Sequence, residues 1–389
     1  MDLAFSPEDE RFREQARDWL ATNVPRDPRP QEGPEMREFD SAWQRRQFDG
    51  GWAGVSWPTE HGGLGLSTVR QLIWHEEYAR AGAPYIGSLF SAVNYGGPAL
   101  TIEGTPEQQA AHLPRILRGE EVWSQGFSEP EAGSDLAGLR TRGVVDGDEL
   151  VVTGQKIWSS YAQIADFHFC LVRTDPERPR HKGLTWVLID LRSPGITVRP
   201  IKTMARDLHF CEVFYDEARV PLGNVVGGLH NGWKVAMSTL TLERGTAFMA
   251  DQVSFERTVD ALVVEAASRP GPRGTGRALD DAGVARQLAD LKTVAGALRS
   301  LSYRSISTLE RTGAPGPEGS MMRLYLGEAN QRLGRAAMDV LGVEGLAFVA
   351  HWRKGWSGHW LRHFASTIGA GTAEIQRNVV GERVLGLPR

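Results

Sequence analysis

The sequence contains few cysteines and no long apolar run. Its 389 residues include two cysteines, Cys170 and Cys211, which lie far apart and form no redox or metal-binding motif. Two isolated thiols are typical of reduced core residues in a cytosolic protein and argue against a disulfide framework. Because no run of about eighteen apolar residues is present, we expect no membrane-spanning helix.

A strong charge of either sign is also absent. The formal net charge is −4 and the pI is about 6.2, which favours neither nucleic acid nor an anionic membrane as a partner. The amino terminus reaches Pro7 and the acidic residues Glu8, Asp9 and Glu10 without the basic and apolar segments of a signal peptide. We therefore expect a cytoplasmic protein that binds neither nucleic acid nor membranes.

The chain is long enough for two or three domains, and its periodicity changes twice. Residues 1–120 have apolar residues at helical spacing behind serine and threonine caps. Residues 121–230 contain short β-rich segments with turn residues between them, including Asp146-Gly147, and predict a small antiparallel barrel or sandwich. In residues 231–389 the helical period returns in long segments between Gly/Pro loops, which predicts a helical bundle.

The most informative segment is "GFSEPEAGSDLAG", from Gly126 to Gly138. Its small and polar residues can bend the backbone around a ligand while hydroxyl and amide groups face that ligand. "GQKIWSS" (154–160) and "GAGTAEIQRNVVGERVLGLP" (369–388) follow in order. With "SWPTEHGGLGL" and "EVFYDEARVPLGNVVG", these strings resemble the acyl-CoA dehydrogenase family over nearly the whole chain.

The resemblance implies a fold and a reaction. The fold is an α+β multidomain one, with an N-terminal α-helical domain, a central β-barrel domain and a C-terminal four-helix bundle. The reaction is the α,β-dehydrogenation of an acyl-CoA thioester, in which a base removes the α proton and a hydride passes from the β carbon to N5 of FAD. The electrons then pass to an electron-transferring flavoprotein, and no metal takes part.

The resemblance also implies which residues bind FAD. Trp158 is expected to pack on the flavin, the alternative being an ordinary core residue, and the Ser160 hydroxyl is expected to reach N5. Ser134 is also expected to contact the CoA pyrophosphate. The full set of expected cofactor-binding residues is Gln125, Phe127, Ser128, Ser134, Trp158, Ser159, Ser160, Thr372 and Glu374.

The position at which many family members carry the catalytic glutamate is occupied by Ala370. The backbone N–H of Ala370 can still polarise the thioester carbonyl, and Gly371 is expected beside it at the substrate. Members similar to isovaleryl- and long-chain-acyl-CoA dehydrogenases carry the base in a "LER" string, which here places it at Glu243. Arg244 is then either a CoA contact or a surface residue. The alternatives for the base are a structural role for Glu243 and, less favoured, Glu374 as the acid that acts.

Several residues depart from the family pattern where a subunit usually contacts its neighbour's FAD. Gly271 and Ala282 replace an arginine and a glutamine, and Asp339 replaces a glutamine with a carboxylate that would repel a diphosphate. Arg273 and Arg277 are close enough in sequence to substitute for the missing arginine. Two assemblies therefore stay open, a homotetramer and a mixed tetramer with a related subunit.

Two other functions are compatible with the same scaffold. A flavin-dependent oxidase or monooxygenase is one, because a fold does not determine the reaction. A non-catalytic acyl-CoA-binding subunit of a mixed tetramer is the other, although the complete flavin motifs argue against it. The sequence determines neither the acyl group nor whether the thioester is to CoA or to a carrier protein.

Overall fold

A computed structural model of the chain describes residues 5–242, 250–271, 274, 276–313, 316–348 and 355–388. Helices come first, strands follow and helices return, as the changes of periodicity predict. The helices that precede the sheet are α1 (Pro7–Asn23), α2 (Gly33–Asp49), α3 (Thr68–Arg80), α4 (Gly87–Ser91), α5 (Gly97–Glu103) and α6 (Pro106–Leu117).

The N-terminal helices begin where the sequence places their caps. The hydroxyl of Ser6 accepts a hydrogen bond from the Asp9 backbone N–H, and Pro7 occupies the first turn of α1. Between α4 and α5 one turn is π-helical, Ala92–Gly96. There the Trp57 indole donates to the carbonyl of Val93, which ties this turn to the core.

The strands form one eight-stranded sheet in the order β6-β7-β3-β2-β4-β5-β8, with β1 paired to β4. Their bounds are β1 (Trp123–Gly126), β2 (Arg142–Asp146), β3 (Glu149–Ser160), β4 (Phe167–Arg173), β5 (Leu184–Asp190), β6 (Ile196–Ile201), β7 (Phe210–Pro221) and β8 (Val225–Val226).

The sheet of the predicted barrel domain is not closed within the described residues, because β6 and β8 lie at its two ends without pairing to each other. With only two residues, β8 offers too short a ladder to close the sheet. The predicted hairpin is confirmed: β2 and β3 pair up to Asp146 and Glu149, and Gly147 has a φ of 63°.

The helices after the sheet form the C-terminal domain. They are α7 (Gly232–Leu242), α8 (Ala250–Ser268), α9 (Ala282–Thr312), α10 (Glu318–Leu341), α11 (Trp356–His363) and α12 (Ala373–Arg383). One apolar core joins α8, α9 and α10, whereas α7 packs against β5 and α5. The predicted fold class of helical, sheet and helical domains is therefore confirmed.

Both cysteines are buried free thiols, as the sequence predicts. Across the described ranges, the helices are all too short or too polar to cross a membrane.

Candidate active site

The loop that follows β1 is held by a buried ion pair. Lys156, on β3, is completely buried, and its Nζ lies 2.8 Å from Oε1 of Glu129 in the loop. The same ammonium group donates to the carbonyl oxygen of Phe127 at 3.1 Å. Glu129 also accepts hydrogen bonds from the backbone N–H groups of Arg140 and Thr141, at 2.6 and 2.8 Å. The loop is therefore fixed to β3 at several points.

Burial by itself would raise the pKa of Glu129, but the charge of Lys156 and the hydrogen bonds outweigh burial and lower that pKa below its usual value. The carboxylate of Glu129 is consequently ionised at neutral pH. Neither residue was predicted to have a role. Both residues lie inside the quoted motifs. A charged residue within a motif of mostly small and polar residues was the signal in the sequence that could have identified them.

This anchoring brings the first two predicted cofactor-binding segments together. The backbone N–H of Ile157 donates to the carbonyl of Ser128 at 3.0 Å, which joins the loop to the Trp-Ser-Ser triplet. Phe127 is buried and packs edge-on against Phe169, at 5.9 Å between ring centroids. Its ring faces the core, so only its backbone is available to a ligand. Gln125 is half-buried on β1, and Ser134 is exposed at the far end of the loop.

Trp158 is exposed rather than buried. Its side chain is 55% accessible, so the alternative of an ordinary core residue is wrong. A bulge in the pairing of β3 with β7 lies between Lys156 and Ser159, and Trp158 within it has a φ of 61°. Bulges re-aim side chains. Here the indole stands edge-on to Phe210, at 5.8 Å between centroids, and leaves an aromatic face open.

The two serines of the triplet have different surroundings. Ser159 is completely buried, and its Oγ lies 3.0 Å from Nε2 of His168. Burial lowers the pKa of His168 to about 3, so that imidazole is neutral. The expectation that Ser159 binds the cofactor is therefore corrected for its side chain, which is used inside the sheet, and only its backbone remains available. Ser160 is half-buried, and its Oγ lies 3.1 Å from Nε2 of His209.

Helix α11 borders this aromatic surface. The guanidinium of Arg362 lies over the ring of Phe210, 5.2 Å from its centroid. Its Nε is 3.9 Å from Oδ2 of the buried Asp207. The sequence did not indicate either residue. Their contacts place the C-terminal domain next to the Trp158–Phe210 pair.

The turn before α12 is tied to the C-terminal domain. Ala370 and Gly371 are exposed, with φ values of 54° and 84°, and their carbonyls accept from Nε2 of the buried Gln376 at 3.1 and 3.4 Å. Arg323 on α10 donates to the carbonyl of Gly369 at 2.6 Å. The hydroxyl of Thr372 caps α12 by accepting from the N–H of Ile375. These bonds hold an exposed turn in a left-handed conformation that is uncommon for alanine.

Glu374 is a poor candidate for a base. Its side chain is 79% accessible. Hydrogen bonds from its own backbone N–H and from Thr372 lower its pKa. A base that acts near neutral pH needs the opposite shift.

Glu243 and Arg244 lie outside the described residues, as does Arg273. The described part of α7 reaches Leu242, the residue before Glu243 in the sequence. Within α7, Thr239 is completely buried, and Leu240 packs against the apolar cluster that contains Phe127. The last described turn of α7 therefore belongs to the same core as the loop after β1.

The described residues at and near the departures from the family pattern have different surroundings. Arg277 donates to both carboxylate oxygens of Asp280, and these bonds lower the pKa of Asp280 to about 2. Asp339 is exposed and accepts from Nε2 of Gln287 at 3.1 Å, while Ala282 is the exposed first residue of α9. Gly271 is buried. The charge of Arg277 is thus balanced within its own loop.

The described surface fits a planar aromatic cofactor. The open face of Trp158 can stack on a flat ring, and the nearby hydroxyl of Ser160 can donate to or accept from a ring nitrogen. The loop backbone at Phe127 and Ser128 lies beside them. These are the features that a flavin requires.

Comparison with known proteins identifies a family over nearly the whole chain. Three family models match: "Acyl-CoA dehydrogenase, N-terminal domain" over residues 6–120, the "middle domain" over 124–218 and the "C-terminal domain" over 230–385. The chain is 39% identical to "Acyl-CoA dehydrogenase IpdE1" of Mycobacterium tuberculosis, over 98% of both chains.

Two solved structures are similar over the whole chain. One is "Tcur3481-Tcur3483 steroid ACAD", with a TM-score of 0.87, 31% identity and full coverage of both chains. The other is the "ChsE4-ChsE5 complex from Mycobacterium tuberculosis", with a TM-score of 0.82, 30% identity and full coverage of both.

Proposed function

We propose that this chain converts an acyl-CoA thioester into the 2-enoyl-CoA and passes the electrons to an electron-transferring flavoprotein. The chain belongs to the acyl-CoA dehydrogenase family of FAD-dependent oxidoreductases. The observation that supports it best is the exposed indole of Trp158 next to Ser160, on a strand fixed to the signature loop by Lys156. Bound FAD would supply the oxidising power of the reaction, as the acceptor of a hydride from the substrate's β carbon.

The chain's own residues bind and orient the cofactor. Trp158 packs on the ring system, and the hydroxyl of Ser160 meets N5. The backbone at Phe127 and Ser128 lines the edge of the ring. Contacts further along the cofactor come from Gln125, Ser134, Thr372 and Glu374, with Ser134 also reaching the CoA pyrophosphate.

The α proton is removed by a carboxylate from the C-terminal domain. We assign this role to Glu243, the residue that follows the described part of α7 in the sequence, because Leu240 of α7 packs against the core that includes Phe127. A carboxylate beside apolar groups has a raised pKa, which suits a general base. The N–H of Ala370, with Gly371 beside it, polarises the thioester carbonyl and so acidifies the α carbon. Arg244 contacts CoA.

The acyl group is bulky and alicyclic. A similar structure with full coverage is described as a steroid ACAD, which supports a steroid-like acyl chain here. A base on a helix rather than on the turn at Ala370 is compatible with such a group.

The assembly is a mixed tetramer in which a related subunit completes each FAD site. Among the residues that the structure describes, the pairing of Arg277 with Asp280, the exposed carboxylate of Asp339 and the small side chain of Ala282 replace the free cations and amides usually offered to a neighbour's FAD. The names of both similar structures contain two components, which supports the same conclusion.

Anaerobic mixing of the FAD-loaded protein with acyl-CoAs of different shape tests the activity. Bleaching of the oxidised flavin band by an alicyclic acyl-CoA, with formation of the 2-enoyl product, is the expected result. A flavin that stays oxidised with every acyl-CoA would refute the proposal. Rapid consumption of oxygen when air is admitted would favour an oxidase instead.

A further inference from the structure

We propose that His209 is a positioning residue for Ser160, keeping the Ser160 hydroxyl aligned with the flavin in both the oxidised and the reduced enzyme. This inference rests on the proposed function, because it takes the Ser160 hydroxyl as the group that meets N5. The Oγ of Ser160 lies 3.1 Å from Nε2 of His209, which is 49 residues further along the chain. His209 belongs to none of the sequence motifs.

The ring of His209 is held in one orientation. It lies between two aromatic rings, with centroid separations of 4.3 Å to Tyr161 and 4.5 Å to Phe210. The carbonyl of His209 accepts from the N–H of Tyr161 at 2.8 Å. Its own N–H donates to Oδ1 of Asp207 at 3.3 Å. A ring that is packed at tilted angles against two aromatic rings and fixed at its backbone has little freedom to turn away from Ser160.

Ser160 is fixed from its own side as well. It is the last residue of β3 and pairs with Phe210, the first residue of β7. Its carbonyl accepts from Oγ of Ser124 at 2.7 Å. The backbone of Ser160 is therefore fixed. The hydroxyl hydrogen can still rotate about the Cβ–Oγ bond, and this rotation decides whether the hydroxyl donates to the flavin or to His209.

The number of hydrogens that Ser160 can donate explains why a histidine is suitable beside it. A serine hydroxyl has one hydrogen to donate, and its oxygen can accept others. The N5 atom of an oxidised flavin accepts a hydrogen bond, whereas N5 of a reduced flavin carries a hydrogen and donates one. Ser160 must therefore donate to N5 in one state and accept from N5 in the other.

Histidine can match both states because its Nε2 either donates or accepts, depending on the tautomer. With the oxidised flavin, Nε2–H donates to the Ser160 oxygen while the serine hydrogen points at N5. With the reduced flavin, the serine hydrogen turns to Nε2, whose proton then resides on Nδ1. Without His209, no other described side chain is bonded to the Ser160 hydroxyl to accept its hydrogen in the reduced state, and an unpaired donor in a half-buried site costs free energy.

The test uses FAD-loaded protein, isolated alone or with its partner subunit, and no acyl-CoA. The ratio of reduced to oxidised flavin is measured against a redox dye of known potential. His209→Phe keeps an aromatic ring in contact with Tyr161 and Phe210 but removes the hydrogen bond. We expect it to lower that ratio, at a fixed potential, on the order of tenfold. His209→Gln, whose amide can donate or accept at the same reach, is expected to restore most of the ratio.

The decisive comparison repeats His209→Phe in a Ser160→Ala background. A residue that acts through the Ser160 hydroxyl has no further effect once that hydroxyl is absent. An equal shift in both backgrounds, or no shift in either, would overturn the role of His209. Failure of the proposed function would give a different result. In that case the dye would reduce the flavin of the unmodified protein normally, but no acyl-CoA would bleach the flavin band.

Discussion

Lys156 lies completely inside the protein with its Nζ 2.8 Å from Oε1 of Glu129. Two charges taken out of water are costly unless each is well paired. Here the carboxylate also accepts two backbone N–H groups, and the ammonium group also donates to the carbonyl of Phe127. The pair joins the loop after β1 to the strand that presents Trp158. The proposed flavin surface is therefore held in place by the protein's own interactions.

Replacement of Lys156 should be costly. Lys156→Met leaves the buried carboxylate of Glu129 without its partner, so we expect a loss of about 3–5 kcal/mol in the free energy of unfolding. Urea denaturation of the two proteins at neutral pH measures it. The matched control is Arg140→Met, which breaks the exposed pair with Glu131 and should cost no more than about 1 kcal/mol. Equal losses of stability in both variants would show that the buried ion pair contributes no more to the free energy of unfolding than the exposed pair does.

The same pair predicts a pH dependence with a definite sign. The pKa of Glu129 is lowered in the folded protein, so its contribution to stability is complete above the unfolded pKa of about 4.5 and is lost as the pH falls through the lower folded pKa. In Lys156→Met the carboxylate stays buried but loses the lysine, so the pKa of Glu129 is higher than in the unmodified protein, and protonation in acid removes the unpaired charge. The stability difference between the two proteins should therefore shrink from pH 7 to pH 4. A difference that is constant or grows in acid contradicts this assignment.

Removal of the exposed indole should affect cofactor binding more than folding. Trp158→Ala deletes an aromatic surface that is 55% accessible, so we expect FAD to dissociate at least about tenfold more readily. Trp158→Phe, which keeps an aromatic face, serves as the matched variant. The ratio of flavin to protein after dilution and gel filtration measures retention. A retention unchanged by the alanine variant would exclude Trp158 from the cofactor surface.

Loss of the proposed base should stop substrate oxidation without loss of FAD. Glu243→Gln keeps the shape of the side chain but cannot accept the α proton, and we expect the rate of flavin bleaching by acyl-CoA to fall by about 10²–10⁴-fold. Stopped-flow absorbance under nitrogen measures this rate.

The control for that experiment is Glu374→Gln. Glu374 is largely exposed and its pKa is lowered, so its substitution should leave the bleaching rate within a few-fold of the original. If the two variants exchange behaviour, the base is on α12 and the assignment to Glu243 is wrong.

The content of FAD should depend on the partner subunit. Expressed alone, the chain should purify with clearly less than one FAD per subunit, because Arg277 is paired with Asp280 and Asp339 is a carboxylate. Co-expression with a related subunit should raise the flavin content and give a tetramer by light scattering. Full occupancy and full activity in the lone chain would instead establish a homotetramer.

Local patterns predicted much of the fold. The cap at Ser6 and the turn at Gly147 depend on neighbouring residues and were confirmed. The same holds for the change from helices to strands and back, because a period of side-chain burial extends over one element at a time. Barrel closure was not predictable in this way. It depends on whether the end strands meet, and β8, with two residues, is too short.

By itself the sequence determined the family, the motifs and therefore the cofactor, since these are written in consecutive residues. The tertiary structure decided which side chains face the proposed flavin and which face the core. A bulge in β3 exposes Trp158 and leaves Ser159 buried. Strand pairing places His209 against Ser160, and Lys156 reaches Glu129 across 27 residues. Such partners depend on register and packing between distant segments, which no local pattern encodes.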